Sequence, residues 1–505
     1  MPPKKISVKN NKTIRKNSRV NGDSESDTNT DSSTESNIET SVTTSVSDIE
    51  KNKYKIIVSL LPNVDLKKDN ILKYKIEPEY SNGIQYPKNS LGFHHYINDT
   101  KDKMQLTTQF EGKKKVYLVT NQFERYVDDY QDTIDNACIK YFDLTKKPKI
   151  LSRGFFKLWE ILMTFNLIPL ENNFTSAHLA EGPGSFIQAT MFYRELFSKN
   201  YKNDKYYAVT LHPESEEGKH VPPLEEDFIK YYEKESPKRF ILHKTYSKQV
   251  AGGFDDKDNG DILNPKTIKL FGGQINERVD FITADGGFNW KNENTQEQEA
   301  FKLMFAQMVG AIKLQKKGGA FVCKFFETFT ILSAKMLNLL SVFYNQVYLI
   351  KPLMSRPSNS EKYAVCMDFK FNEKDKEYID AIKQIDITYE KSFKNKENLM
   401  NIFPEFIPSN NFMTCLTNFN TEISNQQFIS INAIVKFIEG QNYYGDAYQL
   451  FREMQINASK YWISTYLPSK NNLNQIKTTL FDVINNNVKK NDYQTETLMK
   501  NLTFE

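Results

Sequence analysis

The sequence predicts an α/β protein built on a mostly parallel, doubly wound sheet, and two observations carry that reading. Between about residues 149 and 371, short apolar runs alternate with amphipathic segments of helical spacing, the pattern of strands joined by helical crossovers. One of those runs, "AHLAEGPGSF" at Ala177–Phe186, ends on an acid and then spends two glycines and a proline in the next three residues. A strand that turns sharply into a helix reads this way, because glycine frees the backbone to turn and lets another group approach it.

Taken in order, residues 1–50 are poor in apolar groups. Their centre, "NGDSESDTNTDSSTESNIETSVTTSVSD", lacks the apolar surface that folding requires, so this segment is read as a disordered tail with a basic start. Order is expected from "YKIIVSLLP" (Tyr54–Pro62), a strand. "KVYLVT" (Lys115–Thr120) reads as a second strand, and the segment after it has helical spacing. Residues 51–148 are therefore an N-terminal α+β extension. The sheet of residues 149–371 draws on "HLAE", "YYAVTL", "DFITAD", "GGAFVCKFF", "QVYLIKP" and "KYAVCMDF". Amphipathic segments Thr295–Leu314 and Leu332–Tyr344 lie between them. Residues 372–505 read as mainly helical and carry no motif. No internal repeat is visible.

Composition narrows the function. The 505 residues have room for two or three domains and a large core, and no apolar run is long enough to span a bilayer. The Lys-rich start leads into no apolar segment, so it is not a signal peptide, and no membrane partner is expected. The four cysteines are far apart and lack Cys-x-x-Cys spacing, which fits a reducing compartment and argues against structural zinc. His94 and His95 have no partnering ligands nearby and read as loop or core residues. A net charge of +4 is too mild to indicate nucleic acid by itself.

The turn at Gly182 would sit at the ligand crevice of such a sheet, with a helix N-terminus facing it. The dinucleotide pattern Gly-x-Gly-x-x-Gly fails, because Ile187 stands where its third glycine belongs. An acid followed by two glycines suits a nucleoside ligand that needs no pyrophosphate cradle. Three further segments place polar groups at strand ends. "DFITADGGF" ends on Asp285, "GGAFVCKFFETFT" holds Lys324 in an apolar run, and "SRPSNSEKYAVCMDF" sets Glu361 at the mouth of the last strand. Lys157 lies upstream on "SRGFFKLWEIL". Each alone is a weak signal, since a strand lysine usually sits at an edge or snorkels.

Together, Lys157, Glu181-Gly182-Pro183-Gly184, Asp285-Gly286-Gly287, Lys324 and Ser355-Arg356-Pro357 with Ser360-Glu361 resemble the FtsJ-like ribose 2′-O-methyltransferases. The mRNA cap branch of viruses and eukaryotes is the nearest. The resemblance covers about Ser152–Phe369. It implies a Rossmann-like methyltransferase sheet with its last strand antiparallel, S-adenosylmethionine as cofactor, and a Lys157-Asp285-Lys324-Glu361 catalytic tetrad. The implied substrate is the ribose 2′-hydroxyl of the first transcribed nucleotides of capped mRNA. Two alternatives stand beside it: the same chemistry on ribosomal or transfer RNA, and a non-catalytic RNA-binding subunit that keeps the fold.

The chemistry suits those residue types. A ribose hydroxyl must lose its proton as it attacks a sulfonium methyl, and a lysine accepts that proton only when neutral. Neutralising an ordinary lysine of pKa about 10.4 near neutral pH costs roughly 4 kcal/mol. Burial of Lys324 and a nearby Lys157 would lower that cost, whereas Asp285 and Glu361 would raise it, so the four should titrate as a coupled set. Lys324 is the expected general base, and Lys157, Asp285 and Glu361 tune and position it. No metal is expected.

For the cofactor, the resemblance implicates Glu181, Gly182, Pro183, Gly184, Ser185, Phe186 and Asp285, with Asp261 of "NGDILNP" toward the adenine amine. Strand "YYAVTL" lacks the acid that usually grips the ribose, and Glu214 is the substitute. Ser355, Arg356 and Asn359 are the expected RNA contacts. Tyr126, Tyr130, Phe155 and Trp159 are candidates for stacking on a cap guanine. Other capping enzymes are candidate partners, and the C-terminal region could bind one of them, RNA or a second protomer. The Asn-, Lys- and Ile-heavy composition fits an AT-rich genome such as that of a large cytoplasmic DNA virus. The expected location is then the cytoplasm, viral factories and virions included, with the nucleus as the other compartment.

Overall fold

Eight strands form one sheet in the order Ile57–Leu60, Tyr344–Lys351, Lys362–Phe369, Gln315–Phe325, Val279–Ala284, Thr175–Leu179, Lys205–Val209, Phe240–Leu242. We describe it from a computed structural model that covers residues 54–502, apart from 65–69, 88–90, 111–115, 214, 217, 244–248, 251–252, 255–257, 288–291 and 441–444. The tail expected at residues 1–50 and the candidate ribose acid Glu214 lie outside the described residues.

The run from Gln315–Phe325 to Phe240–Leu242 is parallel throughout. Lys362–Phe369 inserts antiparallel between Gln315–Phe325 and Tyr344–Lys351. The expected doubly wound sheet with an antiparallel last strand is therefore present. Ile57–Leu60 adds a further antiparallel strand at the edge, from Ile57 opposite Lys351 to Leu60 opposite Tyr348.

Alternation along the strands builds two cores, one on each face. Ile57, Phe321, Cys323, Phe325, Ala364 and Cys366 pack on one face beneath the helices Pro265–Ile275, Gln296–Leu314 and Ile331–Phe343. Ile56, Val58, Ala320, Val322, Tyr363 and Val365 pack on the other, beneath Arg153–Thr164 and Ser185–Phe197 and against the C-terminal helices Asp446–Tyr466 and Leu473–Leu502. Lys324, two residues beyond Val322, thus belongs to the face covered by the helix that carries Lys157. Residues 372–502 are mainly helical, as the sequence predicts, with Lys376–Lys394 and Asn410–Glu439 the remaining long helices.

One predicted strand is absent. Val116–Val119 forms a single helical turn whose Leu118 and Val119 carbonyls accept from Gln455 Nε2 at 2.8 and 3.3 Å. A four-residue apolar run has too little periodicity to separate the two forms. In the segment that follows, the helix is confined to Ile134–Phe142, capped by Thr133 and ended by Asp143 in the left-handed region. His94 and His95 lie on the helix Leu91–Asp102, within ring contact of Tyr86.

Candidate active site

The candidate residues converge at the carboxyl edge of the parallel strands, where ligands of doubly wound sheets bind. Lys157 comes from the helix Arg153–Thr164, whose start is fixed by Ser152 accepting from Gly154 N at 3.1 Å. Asp285 follows the strand Val279–Ala284, Lys324 is next to last in Gln315–Phe325, and Glu361 directly precedes Lys362–Phe369. That last strand is antiparallel, so its beginning lies at the same edge as its neighbours' ends.

The four side chains form two ion pairs. Lys157 Nζ lies 2.7 Å from Glu361 Oε1 and 2.8 Å from Oε2, and Lys324 Nζ lies 3.1 Å from Asp285 Oδ1. Lys324 also donates to the Asp285 carbonyl at 2.8 Å. Burial opposes the charge on Lys324, but Asp285 and then Glu361 outweigh it and hold its ammonium above the ordinary lysine range. The carboxylates thus win a contest that sequence left open. Burial likewise opposes charge on Glu361, yet Lys157 and Lys324 hold it well below the usual carboxylate range.

Two supporting residues were missed by sequence reasoning. Tyr363 stands opposite Lys324 in the antiparallel register, and its hydroxyl donates to Asp285 Oδ1 at 3.1 Å. Lys351, almost fully buried, donates to the Glu361 and Asn359 carbonyls, each at 2.8 Å, and to Asn359 Oδ1 at 3.0 Å. Burial pushes its amine down to about 7. Alternation in "EKYAVC" could have flagged Tyr363, whereas Lys351 sat unremarked in an apolar run.

The residues proposed for RNA each make hydrogen bonds within the protein, although Asn359 is exposed and Arg356 half-buried. Ser355 is buried and donates to Glu361 Oε1 at 2.8 Å, Asn359 accepts from Lys351, and Arg356 Nε donates to Glu124 Oε1 at 3.1 Å. Of the candidate stacking rings, Phe155 and Trp159 are fully buried and stacked on each other with centroids 5.8 Å apart, which removes them from cap contact. Four residues apart on one helix, they share its core-facing side. Tyr126 is 62% exposed.

Beside the tetrad lies a cavity of about 510 Å³, lined by Gly182, Thr210, Asp261, Asp285, Lys324 and Phe326 among others. Its size is in the range of small-molecule sites. A larger cavity of about 870 Å³ opens elsewhere, among Ser59, Gly318, Asn345 and Asp368, and holds none of these catalytic candidates. A Cβ on Gly182 would stand 1.8 Å from the Pro222 carbonyl oxygen, so only glycine fits there. Pro183, Gly184, Ser185 and Phe186 are not among the residues lining the cavity. The Gly182–Pro183 peptide is cis, Gly184 has φ +107°, and the Ser185 hydroxyl is 2.7 Å from that of Ser152.

Glu181 explains the acid in that turn. Its Oε1 accepts from the Phe186 and Ile187 amides, each at 2.8 Å, and so caps the next helix. Its Oε2 is buried with no hydrogen-bond partner, while its neighbours Ala180 and Gly182 line the cavity. Burial pushes the Glu181 carboxyl up to about 8, although the Ile187 amide pulls the other way. Asp261 is tied by its Oδ1 to Leu263 N at 2.8 Å and also lines the cavity. Among the described residues no three His, Cys, Asp or Glu side chains are grouped to hold a metal.

Residues 150–369 match the model of the FtsJ-like methyltransferase family. The cap-specific mRNA (nucleoside-2′-O-)-methyltransferase 1 of Trypanosoma cruzi is 32% identical over 181 residues, 35% of this chain and 49% of that protein. Methyltransferase 2 of the same description from Drosophila melanogaster is 30% identical over 233 residues, 44% and 30% of the two chains. The probable methyltransferase EP424R of African swine fever virus is 27% identical over 274 residues, 53% and 59%. The matches therefore span between 30% and 59% of these relatives' own lengths.

Proposed function

We propose, from the match of residues 150–369 to the FtsJ-like methyltransferase family, that this chain methylates the ribose 2′-hydroxyl of the first transcribed nucleotides of capped mRNA. The observation that carries this reading is the pair of ion pairs, Lys157–Glu361 and Lys324–Asp285, the second of which lines a cavity of fitting size. The names of the similar trypanosome and fly enzymes support the cap as the feature recognised.

The residues present fit S-adenosylmethionine. The buried Glu181 Oε2, which has no hydrogen-bond partner, leaves a polar group for the ligand beside Ala180 and Gly182, the bare backbone at Gly182 lets Pro222 close against it in the cavity wall, and Asp261 lines the cavity with an acid. When bound, this cofactor supplies an electrophilic methyl group on a sulfonium.

The protein's own part is orientation and proton handling. Asp285 and Glu361 raise Lys324 above the ordinary lysine range, and its amine must lose its proton before it can accept one from the ribose hydroxyl. It lines the cavity, so a cation held there opposes its charge and favours the neutral amine. Lys157 neutralises Glu361 and thereby weakens the carboxylate field that keeps Lys324 charged. Asp285, fixed by Tyr363, aims the amine through two contacts. Alignment of the hydroxyl with the methyl group then carries much of the rate.

Lys324→Ala tests this reading. Transfer from labelled S-adenosylmethionine should fall by about 10³-fold or more, with cofactor affinity kept within about twofold. Near-normal turnover in the purified variant would overturn it.

A further inference from the structure

The helices Asp446–Tyr466 and Leu473–Leu502 lie outside the segment that matches the family, yet they grip the helix that carries Lys157. The Trp462 indole donates to Glu160 Oε1 at 2.7 Å. The same buried carboxylate accepts from Leu353 N at 2.6 Å and Met354 N at 3.0 Å. Arg153, on the other side of Lys157, donates to the Met354 carbonyl. The Met354 residue is thus held through its N–H and its C=O by residues that flank Lys157 on one helix. Its neighbour Ser355 donates to Glu361 Oε1, and Glu361 pairs with Lys157, which closes a ring of contacts. Two more ties hold the helix in place. Trp159 Nε1 donates to the Tyr466 carbonyl at 2.7 Å, and Lys477 Nζ donates to the Leu162 and Phe165 carbonyls, each at 3.0 Å.

We propose that the C-terminal helices are a positioning element of the active site. Trp462, acting through Glu160, fixes the loop that runs from Pro352 to Glu361 and so sets the placement of Glu361 against Lys157. The effect on rate rests on the methyltransferase reading, whereas the effect on the loop does not. Trp462 touches none of the tetrad and is a positioning residue.

A tryptophan that served only as core would leave the titration of Glu160 alone. Burial pushes that carboxyl up to about 7, and the Trp462 hydrogen bond is the largest influence holding it down, followed by the Leu353 and Met354 amides and Arg153. Tyr461 and Tyr466 are the other titratable groups facing it, from the helix Asp446–Tyr466. Once protonated, Glu160 loses acceptor capacity for the loop amides.

The test uses the full chain with Trp462→Phe and, as a variant that keeps the packing, Glu160→Gln. Each should speed amide hydrogen exchange across residues 352–361 while leaving 181–187 unchanged. Each should also lower kcat by about tenfold with little change in KM for the cofactor, since small misplacements at the reacting groups cost rate steeply. In Trp462→Phe the acid limb of the kcat profile should move to higher pH. The double variant should be no worse than Glu160→Gln alone, because both changes act through one contact. Unchanged exchange in 352–361, or additive losses with an unshifted acid limb, would overturn the proposal. A wild-type chain that transfers no methyl group would sink the methyltransferase reading, and the exchange result would still decide whether Trp462 orders the loop.

Discussion

The Lys157 ammonium lies within 2.8 Å of both oxygens of Glu361, and the two side chains are only 14% and 12% exposed. A charge pair so placed is costly to break from one side, because the remaining charge stays in a poorly solvated site. It also couples a helix to the loop that leads into the strand Lys362–Phe369 across 204 residues of chain, so its loss disturbs position as well as charge.

Glu361→Gln keeps the shape and an acceptor for Ser355 but leaves Lys157 without its counter-charge. We expect a loss of about 2–3 kcal/mol in stability and a fall of about 10²-fold in kcat. Urea unfolding and single-turnover kinetics would check both. A variant as active and stable as the wild type would mean that the pair is ornamental.

Gly182→Ala should deform the cofactor cavity by displacing Pro222 from its wall. The new Cβ would fall 1.8 Å from a backbone oxygen of Pro222, which cannot swing aside as a side-chain tip can. Calorimetric titration with S-adenosylmethionine should show affinity reduced by about tenfold or more, roughly 1.4 kcal/mol, against the wild type. Gly273→Ala is the control. Gly273 is exposed on the helix Pro265–Ile275 with open space around its Cβ, and alanine there should add about 0.5–1 kcal/mol of stability without altering binding.

Lys477 makes stability depend on pH. Burial pushes its amine down to about 7, well below the ordinary lysine value near 10.4 expected for the unfolded chain. Between those values the unfolded state holds a proton that the folded state lacks, so stability rises with pH. The slope approaches about 1.4 kcal/mol per pH unit for this one group. Relative to Lys477→Met, the wild type should therefore gain stability from pH 7 to pH 9 and lose the gain on return. Parallel unfolding curves for the two proteins across that range would refute the burial of a neutral Lys477.

Much of this architecture was legible in the sequence because it is written locally. The strands around Lys324 and Asp285 read as apolar runs, and their odd polar residues mark the same edge of the sheet that the structure shows. Phe155 and Trp159 were misjudged as stacking candidates for want of a helical-face argument, although their spacing of four already placed them together. Glu160, Trp462 and Lys477 carried no local signal. Trp462 meets Glu160 across 302 residues, and Lys477 meets Leu162 across 315, so only the folded chain reveals them. The balance at Lys324 was equally hidden, since burial and two carboxylates act in opposite directions and sequence does not give their distances.

The central claim is most directly tested by methyl transfer from labelled S-adenosylmethionine to a short RNA with an N7-methylguanosine cap, run beside its uncapped twin and mapped by nuclease digestion. Our account predicts label on the ribose of the first or second transcribed nucleotide, and only on the capped RNA. Equal labelling of both RNAs, or label at an internal ribose, would contradict it.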